Sequence, residues 1–326
     1  MTKNPEYKSL TAGECAKRIL KIEKPIVLIH PRPDGDAVGT ACALCEIFAQ
    51  LGRECSFLSA DKIPARLNFI PERVGVSVAT DTEGLEAIAV DVASPAQLGA
   101  LREKLPSPTL MIDHHAIGEQ FADGYIVPEA SSAAEVLLDV ARELINAGRI
   151  KMTDKLAYAL YTAITSDTGC FAYSNTSPKT LRCAADLIEV GIDSADINHR
   201  LFNSKNKSQI KAEGIVAGRL KTAFSDKVAY VAITLTDLEN AELTYEDFET
   251  AIDVVRSLEG AEIALVAKET EIGKYKISLR STGKNVAEVA AELGGGGHVR
   301  AAGCTVIAKD AVCAVNTVLS KLKNII

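Results

Sequence analysis

At 326 residues, of which 47% are apolar, the chain is long enough for two domains that each bury a hydrophobic core. Its net charge of −7 argues against non-specific binding along a nucleic-acid duplex, which depends on neutralising phosphates, although it is compatible with a short or small anionic substrate. No apolar run reaches the roughly 18–20 residues of a membrane span, and the first residues do not begin a secretory signal, so we expect a cytosolic protein without membrane partners.

Short apolar segments alternate with helical patterns through the N-terminal part of the chain. After a first amphipathic helix over residues 8–22, small residues over 37–51 predict a helix that ends at Gly52. Such alternation is typical of a sheet with helices on both faces, so the sequence predicts a parallel doubly wound α/β fold. The predicted strands are residues 26–30, 54–58, 74–79, 87–91 and 109–113, and a further helix is predicted over 95–105.

More helices and a polar segment separate this unit from a second α/β unit. The polar run over residues 203–208 predicts a linker that leads into a helix. We therefore expect a first domain over residues 1–200, a linker over 201–213, and a smaller α/β domain over 214–326. The remaining predicted helices are residues 131–147, 153–166, 178–190, 244–258, 286–293 and 310–323, and the remaining strands are 228–235, 262–267, 276–280 and 304–308.

The candidate chemistry is centred on the stretch in which three apolar residues from Leu110 run into Asp113, His114 and His115. A short apolar run is typical of a buried parallel strand, and an α/β sheet presents its ligands at the carboxyl ends of such strands. Two adjacent histidines on an extended chain point to opposite sides, so we expect them to have different roles. Three of the five histidines, His30 being the third, lie at the ends of apolar strands close to aspartates, which packing alone does not explain.

Carboxylates follow two other predicted strands. Asp34 and Asp36 lie on a tight turn just past His30, and such a pair can face two neighbouring cations, since mutual repulsion makes it costly without them. The alternative is a turn with a helix N-cap, for which aspartate is an ordinary residue. Asp91 also ends a strand, where an aspartate alone is more often a helix cap than a ligand. Because a parallel sheet brings the ends of its strands together, their shared position favours a site over separate caps.

Asp167 follows the predicted helix 153–166, at the end where the helix dipole disfavours an anion by roughly 0.3–1 kcal/mol. A metal ion nearby would offset this cost, and a solvated turn is the alternative. Together the aspartates and histidines form an oxygen-rich set that suits Mn²⁺, or Mg²⁺, Fe²⁺ or Co²⁺, better than structural zinc. Two such ions about 3.5–4 Å apart can clamp a phosphoryl group and activate water.

A run of glycines from Gly294 to Gly297 leads into His298 and then towards the strand predicted at residues 304–308. Glycines let backbone N–H groups approach a phosphate, and His298 would add charge. We therefore interpret the run as an anion-binding loop rather than a flexible linker. Arg280, at the end of a predicted strand, is a second candidate for phosphate contact, with an exposed strand-end arginine as the alternative. Aromatic residues make up 5% of the chain, without tryptophan, which argues against an extended base-stacking surface.

The order and spacing of these groups resemble the four motifs of the DHH phosphoesterase family. Arg280 and the glycine run with His298 resemble the C-terminal domain associated with one branch of that family. The resemblance covers nearly the whole chain, and the compact two-domain form is similar to the group of bifunctional oligoribonucleases and pAp phosphatases. The matching motifs are His30-x3-Asp34-x-Asp36, Asp91, Asp113-His114-His115 and Asp167.

The resemblance implies a role for each of these residues. Asp113 would orient the site from behind the metal ligands, and His115 would face the scissile phosphate and assist the leaving oxygen. The implied ligands are His30, Asp34 and Asp91 for one ion and Asp36, Asp91, His114 and Asp167 for the other. The implied substrate contacts are Arg280, Gly295, Gly296, Gly297 and His298.

The function implied is that of a two-manganese phosphoesterase, with Mg²⁺, Co²⁺ or Fe²⁺ as alternatives. It would hydrolyse short oligoribonucleotides to mononucleotides, or pAp to AMP and phosphate, or both, so the expected partners are short single-stranded RNA or small phosphorylated nucleotides. The main alternative is a cyclic di-AMP or pApA phosphodiesterase, and another is a nucleotide-binding regulator without catalysis. The sequence leaves the oligomeric state open, with a homodimer as one alternative.

Overall fold

The computed structural model describes residues 7–79, 84–103 and 107–326. The chain divides into two compact units, Met1–Ser204 and Lys205–Ile326. Within the described ranges, no helix combines the length and the apolar character that crossing a membrane requires.

The first unit is built on a five-stranded parallel sheet with the order β2-β1-β3-β4-β5. This confirms the predicted parallel doubly wound fold. The chain order reverses at β1, so β1 and β3 are neighbours, and open α/β sheets bind ligands beyond the carboxyl ends of the strands at such a switch point. The strands are β1 (Pro25–Leu28), β2 (Ser56–Leu58), β3 (Glu86–Val90), β4 (Leu110–Asp113) and β5 (Asp123–Ile126).

Two hydrophobic cores lie on opposite faces of this sheet, because alternate residues of a strand point to opposite sides. Val27 of β1 belongs to the larger core and Ile26 to the smaller one. In the larger core α2 and α5 approach closely at Gly39, where a Cβ atom would lie 2.8 Å from the Cβ of Ala163. The helices are α1 (Ala12–Ile19), α2 (Gly35–Gln50), α3 (Phe69–Val74), α4 (Ala133–Asn146), α5 (Asp154–Asp167), α6 (Pro178–Glu189) and α7 (Ser194–Asn198).

The strand predicted at residues 74–79 is wrong. Val74 is the last residue of α3, and Gly75 adopts a φ of +83° that ends this helix. Val78 makes an isolated bridge to Phe57, so the apolar alternation places one residue at the sheet without forming a strand.

Two other predictions for the first unit are incomplete. The helix predicted at 95–105 consists of 3-10 turns over Pro95–Glu103 that are broken at Gly99, where φ is 57°, and its last residues lie outside the described ranges. Asp167 belongs to the last turn of α5 instead of following the helix. Strand β5 was not predicted.

The second unit contains a six-stranded mixed sheet with the order β10-β11-β9-β8-β7-β6, in which β7 and β8 are parallel. A smaller α/β unit is therefore present, as predicted. Its strands are β6 (Lys221–Ala223), β7 (Val228–Ile233), β8 (Ile263–Glu271), β9 (Lys274–Ser281), β10 (Gly296–His298) and β11 (Ala301–Ile307). Its helices are α8 (Lys207–Arg219), α9 (Leu235–Ala241), α10 (Ala251–Arg256), α11 (Val286–Glu292) and α12 (Ala311–Leu322).

Helices cover the two faces of this second sheet to different extents. Helices α11 and α12 pack on one face of β8, β9 and β11, whereas α8 and α10 pack on the other face of β7 and β8.

Part of the predicted linker 201–213 is helical, because α8 begins at Lys207. The helix predicted at 244–258 is a 3-10 turn at Glu246–Phe248 followed by the short α10. Elements β6, α9 and β10 were not predicted.

Candidate active site

The first group of predicted ligands lies at the switch point between β1 and β3. His30 follows β1 and Asp91 follows β3, and His30 Nε2 lies 3.4 Å from Asp91 Oδ2. The same nitrogen is 3.8 Å from Oδ1 of Asp34, which caps α2 by accepting a 3.0 Å hydrogen bond from the Ala37 amide. Asp91 adopts a φ of +56°, a conformation that aspartate tolerates better than most residues.

The second group is centred on His114, just past the end of β4. His114 Nε2 lies 3.8 Å from Asp36 Oδ2 and 3.7 Å from Asp167 Oδ2. It is also 3.6 Å from Asp91 Oδ1, so the Asp91 carboxylate faces His30 with one oxygen and His114 with the other. These separations exceed the roughly 2.7–3.2 Å of a hydrogen bond, as expected of side chains that gather around common ions instead of bonding to each other.

Asp36 is the most deeply held of these acids, with 1% of its surface exposed. Its Oδ1 accepts a 2.9 Å hydrogen bond from the Thr40 hydroxyl, one turn further along α2. Its Oδ2 accepts a 2.7 Å bond from the amide of Ala133, the first residue of α4. The N-terminus of a helix favours an anion, so α4 both positions this carboxylate and offsets part of the cost of burying it.

The charges of the site do not balance among the side chains alone. Burial raises the pKa of Asp36 well above its ordinary value, and repulsion from Asp91 and Asp167 raises it further. Burial likewise raises the pKa of Asp167 to about 7. Burial lowers the pKa of His30, but its contacts with Asp34 and Asp91 outweigh burial and raise it to about 11. Cations close to these carboxylates would therefore stabilise their ionised form.

The chemistry of the donor set fits divalent cations. Within the described ranges, three overlapping triads of side chains have ligand atoms within 4.8 Å of one another. Oxygen-rich sets with some imidazole suit Mn²⁺, Mg²⁺, Fe²⁺ or Co²⁺, and carboxylates that repel one another are stabilised by such ions. The triads are His30, Asp34 and Asp91; Asp36, His114 and Asp167; and Asp91, His114 and His115.

Asp113 and His115 form a separate pair beside these ligands. Asp113 is the last residue of β4 and is buried, and its Oδ1 lies 2.7 Å from His115 Nδ1. That same nitrogen is 3.8 Å from Asp91 Oδ1. Because Nδ1 is engaged with Asp113, the Nε2 atom is the one that His115 retains for a substrate. The arrangement is that of a carboxylate that orients an imidazole.

Several groups that position the ligands were not identified from the sequence. The amide of Ala133 and the carbonyl of Ala130, which lies 3.3 Å from His114 Nδ1, act through tertiary contacts, whereas Thr40 acts within α2. Asn175 links two helix ends by donating to the carbonyls of Ser131 and Asp167, at 2.9 and 3.1 Å. Thr40 lies four residues after Asp36 on a predicted helix, and that spacing is the sequence signal that could have indicated it.

The predicted substrate contacts lie in the second unit. Arg280 is on β9 and donates to the carbonyl of Leu279 at 3.0 Å. The glycine run leads from α11 into β10, where Gly297 has a φ of +143° and a Cβ on Gly295 would lie 2.2 Å from the carbonyl oxygen of Gly303. Gly296 has open space around it. His298 lies in β10, and its side chain is outside the described part of the structure.

Comparison with known proteins matches each unit to a family model. Residues 24–164 match the DHH family, N-terminal domain, and residues 225–325 match the DHHA1 domain. The chain is 30% identical over 324 residues to a Thermus thermophilus protein named bifunctional oligoribonuclease and PAP phosphatase NrnA, covering 98% of this chain and 96% of the relative. A Bacillus subtilis protein of the same name is 27% identical and covers 86% and 88% of the two chains.

A solved structure shares the fold over nearly the whole length. The exopolyphosphatase-related protein from Bacteroides fragilis superimposes with a TM-score of 0.85 at 23% identity and covers 96% of both chains. With a DHH match and a DHHA1 match, and with 30% identity to a relative over nearly the whole length of both chains, the chain belongs to the DHH family of phosphoesterases.

Proposed function

We propose that this phosphoesterase hydrolyses short oligoribonucleotides to mononucleotides, or pAp to AMP and phosphate, or both. The observation that carries the proposal is the Asp91 carboxylate, which faces His30 with one oxygen and His114 with the other at the switch point of the sheet. The substrate class is supported by relatives that span nearly the whole chain and are named oligoribonuclease and PAP phosphatase.

Two divalent cations fit the first unit, with Mn²⁺ as the first candidate and Mg²⁺, Co²⁺ or Fe²⁺ as alternatives. When bound, they would supply Lewis-acid charge to the phosphoryl group and lower the pKa of a water molecule. We assign Asp91 to both ions. The other ligands we assign are His30 and Asp34 for one ion, and Asp36, His114 and Asp167 for the other.

His115 is the residue to which we assign proton transfer. Its Nδ1 lies 2.7 Å from Asp113 Oδ1, so the buried carboxylate holds the ring and favours a proton on it. Nε2 would then donate to the leaving oxygen as the phosphoester bond breaks. Asp113 is a positioning residue, because it acts through the imidazole.

The second unit would hold the part of the substrate that does not react. Arg280 is suited to a terminal phosphate because guanidinium binds phosphate through two parallel hydrogen bonds. We assign the backbone of Gly295, Gly296 and Gly297, together with His298, to the same role, since exposed backbone amides bind phosphates without the bulk of side chains. Open space around Gly296 supports this assignment.

Product analysis with purified protein and Mn²⁺ tests the proposal. We would offer pAp, pApA and a five-nucleotide RNA in parallel and expect mononucleotides from the RNA, or AMP and phosphate from pAp. Cleavage of pApA alone would favour the signalling-nucleotide phosphodiesterase instead. Tight nucleotide binding without cleavage of any of the three would indicate a regulator and contradict the proposal.

A further inference from the structure

One face of the second sheet loses its helical cover from β9 outward. The side chains of β8 on this face, such as Ala264 and Val266, are buried beneath α8 and α10. On β9 the corresponding positions are open, since Lys276 is exposed and Ser278 is half-buried. Thr305 of β11, the partner of Lys276, is also exposed.

The strand register forms a trough across this open face. Gly296 of β10 pairs with Gly303 of β11, which pairs with Ser278 of β9, so the row has no side chain larger than a serine hydroxyl. Arg280 and Lys276 lie on β9 two residues to either side of Ser278, on the same face. Each is therefore about 7 Å from the floor row along the strand. We call this feature the cross-strand trough.

Gly296 is a glycine that the fold itself does not require. A Cβ at Gly303 would lie 2.9 Å from the carbonyl oxygen of Ile277, so Gly303 is needed for packing. A Cβ at Gly296 would have no atom within 4 Å, and the backbone there does not adopt a positive φ. A side chain at Gly296 would stand in the trough and fill part of it.

The trough is flanked by two lysines that no carboxylate contacts within the described residues. Lys276 faces Lys268 directly across the two strands, a like-charge pairing that destabilises a sheet. Among the described residues, neither amine has a carboxylate oxygen within 4.0 Å. Lys268 Nζ donates to the carbonyl of Phe248 at 3.3 Å, and Glu246 and Glu249 act on it from farther away. The ring of Tyr245 lies 4.2 Å from Lys268 Nζ and 6.0 Å from Lys276 Nζ. In a chain of net charge −7, two neighbouring lysines without a contacting carboxylate favour an anionic ligand.

We propose that the cross-strand trough binds the backbone of a single-stranded oligoribonucleotide, with Arg280 at one phosphate and Lys276 at a phosphate further along the chain. The occupant is an extended sugar–phosphate chain because the floor is narrow and lacks side chains, while aromatic residues that could stack several bases are scarce. The Ser278 hydroxyl lies between the two cations and can hydrogen-bond a ribose or a phosphate oxygen. Lys276 then selects for substrate length, since pAp has two phosphates, of which one is cleaved and the other is assigned to Arg280, and no further phosphate is left for Lys276. The inference rests on the proposed role of Arg280.

The test compares K276Q with K221Q, a matched variant at an exposed lysine of β6, on the opposite edge of the same sheet. Binding of a five-nucleotide RNA is measured in EDTA over a series of salt concentrations, and kcat/KM is measured with Mn²⁺ on that RNA and on pAp. We expect K276Q to weaken RNA binding about tenfold, which is the usual loss of one charge-assisted contact. Its plot of log K against log salt should become less steep by about 0.7. Hydrolysis of pAp should stay within about twofold of the parent protein, and K221Q should match the parent throughout.

The outcomes separate this inference from the proposed function. Three results would each overturn the trough assignment. K276Q could bind RNA as tightly as K221Q does, or K276Q could lose kcat/KM equally on RNA and on pAp. The third is a parent protein that does not bind the RNA. RNA binding that depends on Lys276 in a protein that hydrolyses neither substrate would support the trough and contradict the proposed function.

Discussion

Asp91 is the residue whose removal tests the proposed metal site most directly. Asparagine also tolerates a positive φ, so D91N should keep the backbone at +56° while removing the charge between the two histidines. We expect activity on every substrate to fall by about 10³-fold or more, the scale of losing a group that stabilises transition-state charge. Calorimetric titration should show that Mn²⁺ binds more weakly or with a lower stoichiometry.

The control for D91N is D154N. Asp154 is exposed at the start of α5 and pairs with Arg73 at 2.6 Å, on a surface outside the proposed ligand set. The D154N variant should keep the activity of the parent protein and bind the same number of Mn²⁺ ions. Near-normal turnover of D91N, in the presence of the same control, would refute the assignment of Asp91 to both ions.

Asp113 and His115 offer a second prediction at the scale of single residues. If His115 protonates the leaving oxygen and Asp113 positions it, then H115N and D113N should lower kcat on RNA by about 10²–10⁴-fold. A phosphodiester with a nitrophenol leaving group needs no such proton, so both variants should lose less than about tenfold on that substrate. The number of Mn²⁺ ions bound should not change in either variant. Loss of a bound ion in H115N would instead support the triad of Asp91, His114 and His115 as a metal site.

Much of the candidate site was predictable at this scale, because it depends on strand ends. His30, Asp91 and Asp113 each lie at or just past the end of an apolar run, and parallel strands bring such ends to one edge of the sheet. The support of Asp36 by the N-terminus of α4 was not predictable, since the two are about a hundred residues apart and meet only in the fold. Nor could the sequence indicate the positive φ of Asp91.

The glycine run gives a prediction at the scale of an element. A Cβ on Gly295 or Gly297 would lie 2.2 Å or 2.5 Å from a carbonyl oxygen of β11, so G295A and G297A should each destabilise the protein by about 1–3 kcal/mol. G296A meets no atom and should change the free energy of unfolding by less than about 0.5 kcal/mol. Urea denaturation measures these differences.

The same three variants separate folding from binding. G296A should raise KM for RNA although it folds normally, because its methyl group occupies the space that the substrate would use. Equal KM values for G296A and the parent protein would show that this part of the run serves the fold alone.

Helices and strands were predicted correctly where they are fully buried, and were missed where glycines set the local backbone conformation. Strands β1 and β4 are buried at every position and were recognised as apolar runs. β10 was missed because glycine has a low strand propensity, and its pairing with β11 arises from the sheet. The alternation at residues 74–79 resembled a strand, but Gly75 instead ends a helix.

At the scale of the whole molecule, the two units have separate hydrophobic cores, and their stabilities should respond differently to metal ions. All the proposed ligands lie in Met1–Ser204, where burial and repulsion among carboxylates raise the pKa values of Asp36 and Asp167. Ions that bind only the folded state stabilise it by about 2.7 kcal/mol at a hundred times Kd. We therefore expect two transitions in scanning calorimetry, with Mn²⁺ raising the midpoint of one of them and EDTA reversing the change.

The D91N variant identifies which transition belongs to the metal-binding unit. It should abolish or reduce the Mn²⁺-dependent rise, measured from the metal-free midpoint of the same variant. That reference is needed because removing this carboxylate removes both its repulsion of Asp36 and Asp167 and its favourable contacts with His30 and His114. G295A, in the second unit, should lower the midpoint of the other transition and leave the Mn²⁺-dependent rise unchanged. An equal shift of both transitions with Mn²⁺, or a rise that survives in D91N, would show that the ions stabilise the protein at a place other than the proposed ligands.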